Sequence, residues 1–201
     1  MSQDGLNHSR RRFLTGATSV VGAAGAVAAA VPFVKSWAPS AKARAAGAPV
    51  KANIGKIEPG QMTVVEWRGK PVYVVRRTPE VLAQLAEKVR DFVADPDSES
   101  DSRPEYVSGN ARSIEGHEEF LVAIGLCTHL GCAPKYRPDV GAEDLGGAEW
   151  LGGFFCPCHG SKFDLSGRVY KNVPAPTNLE IPPYRFESDT VIVIGEDQEA
   201  A

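Results

Sequence analysis

The chain has 201 residues, 43% of them apolar and 23% charged, which is ordinary globular usage and excludes a largely disordered chain. Four cysteines are too few for a small disulfide-dense scaffold, and 20 glycines without a Gly-X-Y period exclude a collagen-like one. The net charge of −3 is uneven: residues 1–50 hold six Lys and Arg against one Asp, so the remainder is acidic, which excludes general nucleic-acid binding.

The N-terminus carries Ser9-Arg10-Arg11-Arg12-Phe13-Leu14, then an uncharged run of 22 residues from Phe13 to Val34. At ~1.5 Å per helical residue this run is long enough for a hydrocarbon core of ~30 Å. Arg10 and Arg11 with Phe-Leu resemble a twin-arginine export signal. Ala41-Lys42-Ala43 and Ala43-Arg44-Ala45 offer small residues at cleavage-like spacing, so a cleaved signal and a retained anchor both fit. Either places the body outside the cytoplasm, where a disulfide persists. The reading is a signal region over 1–12, a transmembrane anchor over 13–34, a linker over 35–50 and a head over 51–201. The Ala-rich linker is small and polar, with the alternative of a short helix.

In the head, Met62–Arg68 and Val72–Arg76 read as two strands joined through Gly69-Lys70-Pro71. A helix is expected next, capped by Thr78, with Pro79 in its first turn and Asp95-Pro96 as its stop. Val81, Leu82, Leu85, Val89, Phe92 and Val93 share its apolar face, for packing on the head's own sheet or for docking a partner. Residues 95–105 read as a solvated acidic loop. Phe120–Ile124, Phe154–Phe155, Tyr184–Glu187 and Thr190–Ile194 read as further strands, the last two joined by Ser188-Asp189. The fold class is mostly β: an antiparallel β head with one inserted helix, plus one N-terminal transmembrane helix.

Every cysteine lies in one of two short segments, Cys127-Thr128-His129-Leu130-Gly131-Cys132 and Cys156-Pro157-Cys158-His159-Gly160-Ser161. The other histidines, His8 and His117, have no donor neighbour at ligand spacing and read as surface residues. Six soft or borderline donors in two segments ask for a metal. A mononuclear zinc site takes four and leaves two thiols over. A c-type haem needs Cys-x-x-Cys-His, and Cys156-Pro157-Cys158-His159 is one residue short. A plant-type iron–sulfur site needs four thiolates and leaves both histidines idle.

This double motif resembles the Rieske iron–sulfur subunit of bacterial cytochrome bc complexes, the ubiquinol–cytochrome c reductases. The resemblance extends over the export signal, anchor, linker, inserted helix and Val173-Pro174-Ala175-Pro176-Thr177-Asn178-Leu179, which is similar to the family's proline loop. It implies a [2Fe–2S] cluster with Cys127 and Cys156 on one iron, His129 and His159 on the other, and Cys132 paired with Cys158 in a disulfide. Two neutral imidazoles in place of two thiolates make such a cluster easier to reduce. The resemblance implies a retained anchor in the bacterial inner membrane with the head on the periplasmic side. Partners implied are a cytochrome b subunit with quinol, a c-type cytochrome subunit and the bilayer, in a dimeric complex. The chain would be catalytic only within that complex, with His159 foremost and His129 beside it at the quinol, and the head moving to deliver its electron to haem.

Supporting roles follow in the same way: Gly131 and Gly160 for tight loop geometry, Leu130 as a shield, Pro174 and Pro176 in the covering loop, and Ser161 as a donor to a cluster sulfur. Two positions depart from the family pattern. Phe163 stands where many members have a tyrosine whose hydroxyl raises the potential, and Val173 stands where a glycine is common. Two other functions fit part of the motif: the Rieske small subunit of an arsenite-oxidase-like complex, and a non-redox zinc module.

Overall fold

The computed structural model describes residues 7–100 and 102–198, so residues 1–6 of the expected signal region and residue 101 of the acidic loop lie outside the described residues. The chain divides into two compact units, Met1–Ala45 and Ala46–Ala201.

In the first unit a single helix, α1 (His8–Ser36, 29 residues), takes in both the arginines and the apolar run. Asn7 caps it by accepting a hydrogen bond from the Arg10 amide at 3.1 Å. Its side chains are all exposed, and it is long and apolar enough to cross a membrane. At ~1.5 Å per residue it spans about 43 Å, so the 13–34 run has helical turns to spare on its arginine side. The linker is not wholly irregular: a short helix, α2 (Ala41–Ala46), starts behind Ser40, whose Oγ accepts from the Ala43 amide at 3.0 Å.

Among the described residues the second unit has one α-helix and eleven short strands, of which β4 (Val107–Ser108) and β5 (Ser113–Ile114) pair only with each other. Its first sheet has the order β1 (Val50–Asn53), β11 (Val191–Ile194), β10 (Tyr184–Ser188), all antiparallel. Val50 pairs with Ile194, so the entry and exit strands of the head close on each other. β1 starts inside the stretch read as linker; with only four residues and one buried side chain it carries too little alternation to be read from sequence. The second sheet has the order β2 (Met62–Trp67), β3 (Lys70–Arg76), β6 (Phe120–Ile124). Val72–Val75 and all of β6 are buried, which fits their unbroken apolar runs, whereas edge strand β2 alternates. The β2–β3 turn is tighter than expected. Arg68 and Gly69 form it alone, at φ 52° and 71°, and Trp67 pairs with Lys70. Two central residues with positive φ match the right-handed twist of the strands they join, so Lys70 and Pro71 belong to β3.

α3 (Pro79–Glu87) begins as expected, with Thr78 Oγ1 accepting from the Val81 amide, but ends early at Lys88. A single 3-10 turn, Val89–Asp91, follows. Beyond it the backbone bonds sideways: the Lys171 amide donates to Phe92 O and the Ala94 amide to Val169 O, both at 2.8 Å. These strand-like bonds replace the helical ones and turn Val89 and Val93 into a second apolar cluster with Leu85, Leu145, Trp150, Leu165 and Tyr170. The helix therefore packs on its own head. The segment 95–105 is less solvated than expected, since Ser98 is buried and accepts from the Asn178 side chain at 3.1 Å.

Between the two apolar clusters lies a charged one. Arg168 and Asp164 form a fully buried ion pair at 2.7 Å. Arg77 donates to Leu165 O and Ser166 Oγ, and Arg112 to Ser166 O and Leu179 O, so three guanidiniums grip the turn 164–168. Burial lowers the Arg77 guanidinium to about 10, which leaves it cationic at neutral pH.

Candidate metal centre

A third sheet, β7 (Lys135–Arg137), β8 (Gly153–Phe155), β9 (Lys162–Asp164), positions the cysteine segments. Phe155, the last residue of β8, pairs with Lys135, the first of β7, and with Lys162, the first of β9. The segment that enters β7 from β6 and the segment that turns β8 into β9 therefore sit at the same end of this sheet. Gly153 is required in β8, since a methyl there would overlap the Phe163 carbonyl.

The two segments fold alike. The Cys127 amide donates to Cys132 O at 2.7 Å, and Cys127 O accepts from the Gly131 amide at 2.8 Å. The Cys156 amide donates to Ser161 O at 2.8 Å, and Cys156 O accepts from the Gly160 amide at 3.0 Å. Gly131 and Gly160 hold φ of 77° and 81°, where a side chain would be strained. Each loop thus starts on a cysteine and closes on the sixth residue through a left-handed glycine. The residues at matching loop positions differ: His129 stands where the second loop has Cys158, Leu130 where it has His159, and Cys132 where it has Ser161.

Cys132 and Cys158 form a disulfide between the loops. Cys127 and Cys156 remain free thiols and both are buried. Cys156 Sγ lies within 4.8 Å of both disulfide sulfurs, which as a bonded pair offer no thiolate. Burial pushes the Cys156 thiol up, and the neighbouring Cys127 adds to the rise. Two thiols in this position need a cation before both can ionise. The His129 and His159 rings stand edge to face with centroids 4.8 Å apart. His129 Nδ1 is buried without a hydrogen-bond partner, whereas His159 is exposed. An orphaned imidazole nitrogen, a second imidazole and two buried thiols are a donor set that a mixed thiolate–imidazole iron–sulfur cluster fits.

The third side is covered by residues 173–179, which are tied to both loops. Thr128 Oγ1 donates to Thr177 O at 2.7 Å, and Ser161 Oγ accepts from the Ala175 amide at 3.0 Å. Ser161 is fully buried, and accepting that bond leaves its own hydroxyl proton to donate elsewhere. Phe163 is fully buried within the apolar cluster that holds Cys127 and Cys156. Pro174 and Pro176 are exposed, and Leu130 is 71% exposed, so it is no core leucine. Arg10 and Arg11 lie on α1, in the other unit. His117 is not a plain surface residue: it stacks on Phe186 at 3.7 Å. Sequence reasoning did not reach Thr128 or Tyr73. The Tyr73 hydroxyl donates to Pro134 O at 2.8 Å, and burial, then Cys156, raises its phenol. Nothing in an apolar strand run marks such a residue.

Two family models match this chain, "Ubiquitinol-cytochrome C reductase Fe-S subunit TAT signal" over residues 1–40 and "Rieske [2Fe-2S] domain" over residues 93–184. The ubiquinol–cytochrome c reductase iron–sulfur subunit of Allochromatium vinosum is 59% identical over 201 residues, covering 100% of this chain and 95% of that one. The chain belongs to the family of ubiquinol–cytochrome c reductase iron–sulfur subunits. The mitochondrial cytochrome b-c1 complex Rieske subunit of Saccharomyces cerevisiae is 37% identical over 181 residues, covering 90% of this chain and 73% of that one. A solved chain described as hyperthermophilic respiratory Complex III is 27% identical, with a TM-score of 0.47, and covers 90% of this chain and 98% of that one. Membership in the Rieske iron–sulfur subunit family makes this an electron-transfer subunit of a quinol–cytochrome c oxidoreductase carrying a [2Fe–2S] cluster. It decides against the zinc module and the arsenite-oxidase-like subunit.

Proposed function

We propose that Cys127 and Cys156 hold one iron of the [2Fe–2S] cluster, that His129 and His159 hold the other, and that the exposed face of His159 meets quinol. The observation that carries this reading is the pairing of two buried free thiols with two adjacent imidazoles on matching loops, one imidazole nitrogen being buried and orphaned. Bound there, the cluster supplies a one-electron acceptor, less negative than a four-thiolate one by two charges.

The chain's own residues supply the rest. With Nδ1 of His129 directed inward, its Nε2 is the nitrogen left to carry a proton. His159, exposed, presents its outer nitrogen where a quinol hydroxyl can donate and leave its proton. Leu130, Pro174 and Pro176, on the first loop and the covering segment, offer exposed apolar surface that excludes water once a partner covers it. Arg10 and Arg11 address the chain for export in its folded state. The 13–34 run anchors it in the inner membrane with the head on the periplasmic side. The 35–50 linker lets the head, 51–201, move between cytochrome b and the c-type haem in a dimeric complex, and the subunit is catalytic only there.

The test is a redox titration of native membranes followed by electron paramagnetic resonance at several pH values. The expected result is a rhombic signal of low average g whose midpoint falls as pH rises. No such signal, with zinc in place of iron in the purified chain, would overturn the ligand assignment. Phe163 gives a second test, because it brings no hydroxyl to the ligand cysteines. Phe163→Tyr is expected to raise the midpoint, on the order of 60 mV for each tenfold gain in the reduced fraction at one electron. A midpoint that stays or falls would show that this position does not tune the cluster.

A further inference from the structure

Tyr73 belongs to β3, yet its side chain touches the stems of both cysteine loops. Its ring lies against Gly125, two residues before Cys127, so closely that a methyl on Gly125 would overlap ring atoms. Its hydroxyl donates to the Pro134 carbonyl at 2.8 Å, two residues after Cys132. The ring also stacks on Phe154, two residues before Cys156, with centroids 5.6 Å apart and planes at 18°. One buried side chain thus spans three of the four points where the loops join the sheets. The fourth, Ser161, is held by the Ala175 amide.

We propose that Tyr73 is a positioning residue for the metal centre, fixing the Cys127–His129 side of the site against the Cys156–His159 side. The hydroxyl is the specific part. Phenylalanine at this position fills nearly the same volume and stacks on Phe154 equally well. It leaves the buried Pro134 carbonyl without its donor, however, and frees the exit of the first loop. Gly125 serves the same arrangement from the other side, because any side chain there pushes the ring away. Ligand orientation is set by such supporting contacts, and small changes in it alter a metal's electronic structure.

The inference rests on the ligand assignment proposed above, and the two fail differently. The experiment compares wild type, Tyr73→Phe and Gly125→Ala in the assembled complex in membranes. It records the paramagnetic resonance spectrum of the reduced centre and the rate at which that signal is lost to an iron chelator. Both variants are expected to shift and broaden the g values of the centres that remain. Tyr73→Phe is expected to lose the signal roughly tenfold faster, the factor given by about one buried hydrogen bond. A purely structural residue would lower the number of centres and leave the g values of the survivors unchanged. Wild-type g values and a wild-type loss rate in Tyr73→Phe would overturn the positioning role. Absence of the signal from wild type would instead remove the ligand assignment itself, and this inference with it.

Discussion

Replacing Asp164 with alanine is expected to destabilise the head by roughly 3–5 kcal/mol, the cost of breaking a buried ion pair by removing one partner. Asp164 and Arg168 are both fully buried, with the carboxylate on the guanidinium at 2.7 Å. The carboxylate does more than neutralise charge. Its other oxygen accepts from the Ser166 and Arg168 amides at 2.8 and 2.7 Å, which shapes the turn that the three arginines grip. Arg168 carries the effect outward, since it also donates to Leu85 O at 3.0 Å and so fastens α3 to the turn. Asp164→Ala leaves a buried guanidinium without its counter-charge and with Arg77 and Arg112 close by, at a cost no surface charge could match. Asp164→Asn keeps an acceptor for the two amides but loses the charge and turns an NH2 donor toward the Arg168 Nε–H, so any stability it retains over the alanine variant measures the two amide bonds. Urea unfolding followed by tryptophan fluorescence checks this, because fully buried Trp150 shares an apolar cluster with Leu165, inside the gripped turn. A loss below about 1 kcal/mol for Asp164→Ala would mean that hydrogen bonds to carbonyls, rather than the ion pair, hold the turn.

This charged turn was illegible in the sequence for a physical reason. Asp164-Leu165-Ser166-Gly167-Arg168 reads as ordinary polar turn chemistry, and burial of its charges depends on Arg77 and Arg112 arriving from segments distant in sequence. The same cause hid β7 and β9, strands of three residues whose pairing with β8 makes them strands at all. Residues with strong local chemistry were legible. Thr78 and Pro79 start α3, and the β-branched and aromatic run 72–75 forms the centre of β3. The two loops were the most legible part, because left-handed glycines and closely spaced donors leave a pattern that needs no tertiary context. The end of α3 was misread because bonds from the 169–171 segment displace the helical ones there, and only the folded chain brings that segment near.

Removing the interloop disulfide, with Cys132→Ser and Cys158→Ser together, is expected to have the second large effect, and its size should depend on the metal. The bond closes a sequence separation of 26 residues, for which loop-closure entropy gives about 3.5 kcal/mol. In the metal-free chain the other ties between the loops are weaker: the His129 and His159 rings meet edge to face, and Tyr73 contacts the stems of both loops. Thr128 and Ser161 add an indirect tie through residues 175–177, at about 1 kcal/mol for each hydrogen bond. The metal-free variant should therefore lose most of the 3.5 kcal/mol. With ligands contributed by both loops, a bound cluster would itself be a cross-link across nearly the same chain segment, so the two constraints are not additive. The cluster-loaded variant should unfold at a urea concentration closer to wild type, while its iron and acid-labile sulfide escape faster once the cluster is the main tie between the loops. Unfolding curves with and without iron, beside iron content over time, separate the two contributions. An equal loss of stability in both forms would mean that the cluster does not bridge the loops, and the assignment of Cys127 and His129 opposite Cys156 and His159 would have to be withdrawn.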